Sequence, residues 1–456
     1  MKTKLFSDKL FYSKLFKLGI PLAFQSLMLA LVAACDSLML GKTDQNSMSA
    51  VSLATQIQFV QNMFLFAITG TAVIFGSQYF GKNNKKALHD IFCITLRYSS
   101  VISVVFFIAC EVIPEYLMLL FTNEQILIDI GVDYLRIAGW SYLLTGISQC
   151  YLTMMKITAH AKVSSTVSSG AVVINIIFNA IFIFGLLGAP KMGVKGAAAA
   201  TLISRIIEIC VCLILSSNRE FIKPTVKGFF TRNKVLSKDF LRQLLPLTGS
   251  SLLWGIGFTS YTAVMGHMGI AATAANAIAS VVRDLMCCMC NGIANAGGIL
   301  VGNELGKGEL KKGKEYGDRL VVISAIIGVF VCAVIIALTP LVIRFVTLEP
   351  EATEILKKIM IIMAVYMIAR CICTVTINGI LAAGGDTFYD IYSLIAVMWC
   401  FAVPMSFLGA FVFHWPVLLV YLFTCIDEIV KVPWLIIHFK KYKWVKDLTR
   451  SETELI

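Results

Sequence analysis

The chain has 456 residues, of which 58% are hydrophobic and only 14% are charged. Soluble domains usually carry about a quarter charged residues, so the composition excludes a soluble globular protein and is typical of a membrane protein. The net charge of +12 would suit a nucleic-acid binder, but the basic residues lie in short loops between apolar stretches, so we expect no nucleic-acid partner.

Twelve apolar stretches follow one another along the chain. A helix needs roughly 20 apolar residues to cross a bilayer, and unbroken stretches favour helices over the alternating pattern of membrane strands. The stretches lie near residues 15–40, 50–79, 92–114, 127–155, 163–187, 193–217, 240–266, 271–302, 319–341, 353–381, 388–413 and 415–439. The pattern predicts an all-α polytopic membrane protein with twelve transmembrane helices.

Successive loops between these stretches differ sharply in charge. One set, which includes both termini and the segment Ser216–Asp239, is rich in lysine and arginine, whereas the other set carries only Lys42, Lys191, Lys195 and Arg344. Basic loops stay on the cytoplasmic side of a membrane. The sequence therefore predicts a multi-pass protein of the plasma (inner) membrane with both termini in the cytoplasm.

The basic segment at the midpoint separates two similar halves. A shift of 225 residues aligns Pro21 with Pro246 and Gly81 with Gly306. We predict an N-terminal six-helix lobe at residues 1–217, a cytoplasmic basic linker at 218–239 and a C-terminal six-helix lobe at 240–456. Two halves of six spans have the same orientation, which makes the lobes pseudo-symmetric about an axis along the membrane normal.

Several motifs resemble those of the multidrug and toxic compound extrusion (MATE) transporters. Pro21, Asp36–Gly41 and Gln78–Gly81 are similar to the opening of that family, and Val301–Gly306 is similar to the matching signature of its eighth helix. Further segments resemble its fifth, sixth and tenth helices, namely Asn175–Asn179, Gly193–Thr201 and Asn378–Thr387. The resemblance implies a cation-coupled antiporter of drugs or metabolites with two six-helix lobes.

The sequence departs from one branch of that family. That branch carries an acidic residue in the seventh helix where this chain has Trp254, and another in the tenth helix near Cys371. The pattern is closer to the branch that couples through the N-terminal lobe. The resemblance thus places cation coupling in the first half of the chain.

Asp36 is the best candidate for cation coupling. An ionised carboxylate in an apolar span must face a cavity, be paired or be protonated, although an acid near a helix end could simply reach interfacial water. Asn175 and Asn179 share one helix face and either join this site or bond neighbouring helices. Thr201 either joins the site or bonds to its own backbone. The resemblance implies H⁺ or Na⁺ at Asp36, and we predict no other metal.

A second group of residues indicates a substrate cavity or a gate. Arg283 and Asp284 lie near the middle of the eighth span, where a charged pair must be buried or wetted, and Arg370 has no acidic neighbour at helical spacing. Gln56 and Gln61 belong to a polar strip in the second span. The alternatives are structural ion pairs and hydrogen bonds between helices.

The motifs also bound the function. No G-x-x-x-x-G-K-[ST] sequence for ATP binding is present, and scattered histidines favour no catalytic group, so we predict neither an enzyme nor a cofactor. The 14 cysteines fall inside predicted helices, where we expect small apolar side chains rather than disulfides. We expect a secondary active multidrug or metabolite exporter that is monomeric in the bilayer and exchanges small organic and often cationic substrates for H⁺ or Na⁺. The alternatives are a lipid-linked oligosaccharide flippase and a channel.

Overall fold

A computed structural model describes residues 8–218, 220–231, 233–346, 348–451 and 454, with the side chains of residues 33, 34, 37 and 38 left out. The described chain is almost entirely helical. We number its twelve long helices α1 Lys9–Gly41, α2 Gln45–Gly81, α3 Lys85–Val112, α4 Gln125–Ile157, α5 Ala161–Phe184, α6 Val194–Ser216, α7 Lys234–His267, α8 Ile270–Gly306, α9 Leu310–Phe345, α10 Pro350–Leu381, α11 Phe388–Phe411 and α12 Val417–Phe439.

Each long helix contains one predicted span. Within the described residues, nine helices are long and apolar enough to cross a membrane by length and composition, and the remaining long ones are α4, α7 and α12. The helix α12 carries Asp427, Glu428 and Lys431 in its middle. Charged side chains inside a span need partners; Glu428 receives one from Arg370 of α10 and another from Lys431 of its own helix.

The segment predicted as a basic linker is partly helical. A short helix spans Val226–Phe230, and Arg97 of α3 donates hydrogen bonds to the backbone oxygens of Phe229 (2.9 Å) and Thr231 (3.1 Å). The helix α7 begins at Lys234, six residues before the predicted span. Hydropathy does not mark this polar start of α7, because it contains Lys234, Lys238 and Asp239. Arg219 and Arg232 of the linker lie outside the described residues.

The helices α10 and α11 each change to π-helical geometry, over Thr374–Leu381 and Leu394–Ala402. The widened part of α10 lies close to α8. A Cβ added to Gly379 would lie 2.8 Å from the backbone oxygen of Ala294, and one added to Gly298 would lie 3.0 Å from the backbone oxygen of Gly379. Only glycine permits this close approach of two backbones.

The chain forms two compact units. The C-unit comprises the described residues up to Ala23 together with Leu245–Thr449, and the N-unit comprises Phe24–Leu244 with the described residues from Arg450 onward. Both α1 and α7 are divided between the units, at or beside the prolines Pro21 and Pro246. A proline interrupts the helical hydrogen bonds, which explains the place of the division. The predicted domain boundaries at residues 217 and 240 follow the order of the spans along the chain. They do not predict that α1 and α7 are each divided between the two units.

Each unit has its own apolar core. In the N-unit the core includes Leu40, Tyr134 and Ala198, and in the C-unit it includes Met363 and Val420. The first part of α1 packs tightly within the C-unit, where a Cβ on Gly292 of α8 would lie 2.6 Å from the backbone nitrogen of Ala23. Both units therefore bury apolar side chains independently.

The expectation that all cysteines are free is wrong for one pair. A disulfide joins Cys290 of α8 to Cys371 of α10, with their Cα atoms 5.3 Å apart. Both residues are buried in the core of the C-unit. Sequence spacing could not reveal this pair, because the two cysteines are 81 residues apart and meet only through the packing of α8 on α10.

Candidate functional site

Four predicted residues of the N-unit form one chain of hydrogen bonds. The amide of Asn179 donates to the carboxylate of Asp36 (Nδ2–Oδ1 2.5 Å) and to Oδ1 of Asn175 (3.1 Å). Asn175 in turn donates to Oγ1 of Thr201 (3.2 Å), whose hydroxyl donates to the backbone oxygen of Ala197 (3.1 Å). We call Asp36, Asn179, Asn175 and Thr201 the polar chain; it connects α1, α5 and α6.

Local sequence explains how three helices meet at this point. Asn175 and Asn179 stand one turn apart on α5 and therefore share a face. Residues 196–200 near the start of α6 are glycine and alanine, and a Cβ added to Gly196 would lie 2.7 Å from the backbone oxygen of Phe182 on α5. The close approach of α6 to α5 brings Thr201 within reach of Asn175.

The polar chain lies in an apolar and weakly compensated environment. Asn179 is fully buried, Asn175 is 5% exposed and Asp36 is half-buried. Among the described residues, Asp36 accepts a hydrogen bond from the Asn179 amide and is otherwise surrounded by apolar groups. No basic side chain compensates its charge there. Oδ1 of Asn179 is buried without a hydrogen-bond partner in this part of the structure. The site thus offers an uncompensated carboxylate beside a free amide oxygen.

The C-unit contains a different arrangement of buried charges. Arg370 of α10 forms a hydrogen-bonded ion pair with Glu428 of α12, and Lys431 lies 3.8 Å from the same carboxylate. Asp427 accepts a hydrogen bond from the backbone of Glu428 (2.8 Å). Asp427, Glu428 and Lys431 are each at most 4% exposed. Glu428 thus supplies the partner of Arg370 that helical spacing alone did not identify.

Arg283 and Asp284 of α8 pair with each other in the C-unit. Nε and Nη2 of Arg283 each lie 3.1 Å from Oδ1 of Asp284. The guanidinium also lies over the ring of Phe258, 4.4 Å from its centroid. These residues do not join the polar chain, which consists of residues of the N-unit.

The two glutamines of the second span have different surroundings. Gln61 is fully buried in the N-unit and donates to the backbone oxygen of Tyr142 (2.9 Å) and to Ser103 (3.3 Å). These are bonds between α2, α3 and α4, the alternative weighed for this residue. Gln56 is exposed, and its predicted place at a substrate cavity stays a prediction.

A further buried acid lies in the N-unit. Glu208 of α6 accepts hydrogen bonds from Arg205 (2.7 Å) and from Ser148 of α4 (3.0 Å), and its side chain is fully buried. The spacing of Arg205 and Glu208 on one helix face predicts their pairing. The hydrogen bond from Ser148 is not predicted from the sequence, because no local signal links residues 60 positions apart.

Comparisons with known proteins identify relatives of this chain. The chain matches the MatE family over residues 21–181 and 246–408. It is 24% identical over 452 residues to the "probable multidrug resistance protein NorM" of Thermotoga maritima, covering 97% of this chain and 95% of that protein. It is also 24% identical to the "uncharacterized transporter YisQ" of Bacillus subtilis over 88% of each chain.

The same fold is present in solved structures. A variant of the Vibrio cholerae MATE transporter VcmN superposes with a TM-score of 0.86 at 17% identity, covering 94% of this chain and 96% of that one. The prediction of an all-α membrane protein with twelve transmembrane helices in two pseudo-symmetric six-helix lobes is confirmed. Matches over both halves show that this chain belongs to the MatE family of membrane transporters of small molecules and is not an enzyme.

Proposed function

We propose that this protein is a secondary active exporter that exchanges small organic molecules, many of them cationic, for H⁺ or Na⁺ by alternating access. The polar chain supports this proposal most directly. A carboxylate without a basic partner in an apolar environment is costly as an anion. Uptake of a proton or a metal cation at Asp36 removes that cost, so the occupancy of the site changes the stability of the conformation around it.

The hydrogen bonds around Asp36 favour a proton over a sodium ion. Hard cations such as Ca²⁺ gather about six to eight oxygen ligands. Oδ1 of Asn175, Oγ1 of Thr201 and Oδ1 of Asp36 each already accept one hydrogen bond, so the polar chain leaves few lone pairs open to a metal cation besides those of Oδ1 of Asn179. One proton needs a single carboxylate oxygen and can be held by the polar chain.

The flippase alternative receives less support from the charges of the C-unit. A site for phosphate-linked sugars needs cationic groups free to meet phosphate. Arg370 is paired with the buried Glu428, so Arg283, whose partner Asp284 is exposed, is the one guanidinium of this pair that a ligand can reach, and a single cation does not match the two charges of a diphosphate link. We propose instead an exporter that acts as a monomer in the plasma membrane, with both termini in the cytoplasm and with coupling in the N-terminal lobe.

Efflux from proteoliposomes tests the proposal. Purified protein is reconstituted, the vesicles are loaded with ethidium, and a pH gradient or a sodium gradient is imposed separately. We expect uphill ethidium movement under the pH gradient and none under the sodium gradient alone. Ethidium export driven by the sodium gradient alone would identify Na⁺ rather than H⁺ as the coupling ion. Ethidium movement only down its own gradient would contradict antiport.

A further inference from the structure

Two aromatic rings and two guanidinium groups form a layered cluster in the C-unit. Trp254 and Phe258 stand one turn apart on α7 with their rings stacked, 5.4 Å between centroids and 18° between planes. Arg283 lies over Phe258 at 4.4 Å, and Arg370 lies over Trp254 at 5.5 Å. Such stacking holds a guanidinium flat and directs its N–H groups outward along its edge.

The two arginines differ in how completely an acidic partner compensates their charge. Arg370 has a buried partner, because the side chain of Glu428 is only 4% exposed. Arg283 is itself 15% exposed, but its partner Asp284 is 62% exposed. The exposed part of an ionised carboxylate in a membrane helix is stable only where water reaches it. The exposed side of Asp284 therefore faces a wet space rather than hydrocarbon.

The pair of Arg283 and Asp284 is also poorly arranged. Neighbouring residues on a helix do not face each other, and both Nε and Nη2 of Arg283 approach the same oxygen of Asp284. Nη2 is buried without a properly aligned hydrogen bond in the described structure. A guanidinium binds a carboxylate most strongly through two parallel bonds to two oxygens, which Asp284 does not provide.

We propose that Arg283 binds the carboxylate of an aromatic acid, which displaces the exposed Asp284 side chain and places its ring against the aromatic layer of Trp254 and Phe258. This inference rests on the proposed export function and assigns one substrate class to it. A single free guanidinium edge suits one carboxylate. The pairing of Arg370 with Glu428 leaves no second cation for a dianion such as a diphosphate.

Binding of three matched probes to the purified protein tests the proposal. The probes are 1-naphthoate, the neutral 1-naphthamide and the cationic 1-naphthylmethylammonium, and their affinities are measured by titration calorimetry without any ion gradient. We expect naphthoate to bind at least about tenfold more tightly than naphthamide, as one charge-assisted pair allows. Equal affinities of these two probes would overturn the proposal.

Two substitutions separate a ligand-binding role from a structural one. Arg283→Gln should weaken naphthoate binding about tenfold and leave naphthamide unchanged. Asp284→Asn should strengthen naphthoate binding about threefold, because it removes the competing carboxylate. If Asp284 only stabilises Arg283, Asp284→Asn will weaken naphthoate binding or leave it unchanged, and the proposal fails. The Asp284→Asn measurement still decides the question if Arg283→Gln does not fold, because Asp284 is exposed.

The control and the export assay distinguish this inference from the proposed function. Glu354→Gln removes another exposed acid of the C-unit, which lies 3.5 Å from Lys358, and should leave all three affinities unchanged. Ethidium export that persists while naphthoate fails to bind would overturn the substrate class alone. Selective naphthoate binding without gradient-driven export of any probe would overturn the antiport proposal alone.

Discussion

Asp36 of the N-unit and Glu428 of the C-unit are compensated in opposite ways. In the N-unit, Asp36 meets an amide and no basic side chain among the described residues. In the C-unit, Glu428 meets both Arg370 and Lys431. A compensated charge is a fixed part of the structure, whereas an uncompensated one changes its state when a cation arrives. The comparison supports a structural role for Glu428 and the coupling role proposed for Asp36.

The internal repeat makes this contrast sharper. A shift of 225 residues places Tyr261 opposite Asp36, and Cys400 and Pro404 opposite the two asparagines. Tyr261 is buried, and its hydroxyl lacks a hydrogen-bond partner within the described residues. The equivalent region of α11 is π-helical and apolar. The repeated fold thus carries the polar chain in only one of its halves.

The largest expected effect follows from removing the uncompensated carboxylate. Asp36→Asn keeps the shape of the side chain but cannot take up a cation, so gradient-driven export should fall to the rate of empty vesicles. Efflux from proteoliposomes measures this rate. The matched control is Asp133→Asn, which neutralises an exposed acid of the same unit that pairs with Lys195 at 3.1 Å and should export normally. Wild-type export by the Asp36 variant would contradict the contrast between the units.

The compensated acid should act on stability instead. Glu428→Gln leaves Arg370 and Lys431 buried with a lost counter-charge, which costs about 3–5 kcal/mol. Unfolding in detergent, followed by circular dichroism, measures the loss. Adding Arg370→Gln to the same variant should recover part of the stability, because it removes the unpaired charge. A Glu428 variant as stable as Glu354→Gln would show that the cluster contributes little.

The members of the polar chain should rank by their distance from Asp36. Asn179→Ala removes the direct donor to the carboxylate and should change cation affinity about tenfold, the worth of one charge-assisted hydrogen bond. Thr201 lies two hydrogen bonds further from Asp36 than Asn179 does. Thr201→Val should therefore change the cation affinity only about twofold. Cation titration of the purified variants measures both. A larger effect at Thr201 than at Asn179 would place the cation elsewhere.

The smallest expected effect concerns an ion pair before α1. Asp8 accepts a hydrogen bond from Arg319 (2.7 Å), which holds the pKa of Asp8 below its usual value. A lowered pKa stabilises the fold above the unfolded value of about 3.9 and ceases to do so as the pH falls through the folded value. Asp8→Asn should therefore cost at most about 1 kcal/mol at pH 7.

Thermal unfolding at two pH values checks this prediction. The difference between wild type and Asp8→Asn should be present at pH 6 and shrink as the pH approaches 3. A difference that grows on acidification would have the wrong sign and would exclude this ion pair as its cause.

The fold was predictable because its main determinants are local. Apolar length identified all twelve helices, and the spacing of Asn175 and Asn179 placed both amides on one face. Their contact with Asp36 followed only from the family resemblance, since the residues are 143 positions apart. Long-range contacts such as Arg370 with Glu428, Cys290 with Cys371 and Glu208 with Ser148 depend on helix packing, which periodicity does not encode. A buried acid in α12 was nevertheless a usable signal, because it required a basic partner.

Cation binding to the purified protein tests the central claim most directly. Proton release or uptake and sodium titration are measured for the wild type, for Asp36→Asn and for the control Asp133→Asn. We expect one cation site in the wild type and in the control and none in Asp36→Asn. Binding that persists in Asp36→Asn and disappears in Asp284→Asn would place the coupling site in the C-unit and contradict the account.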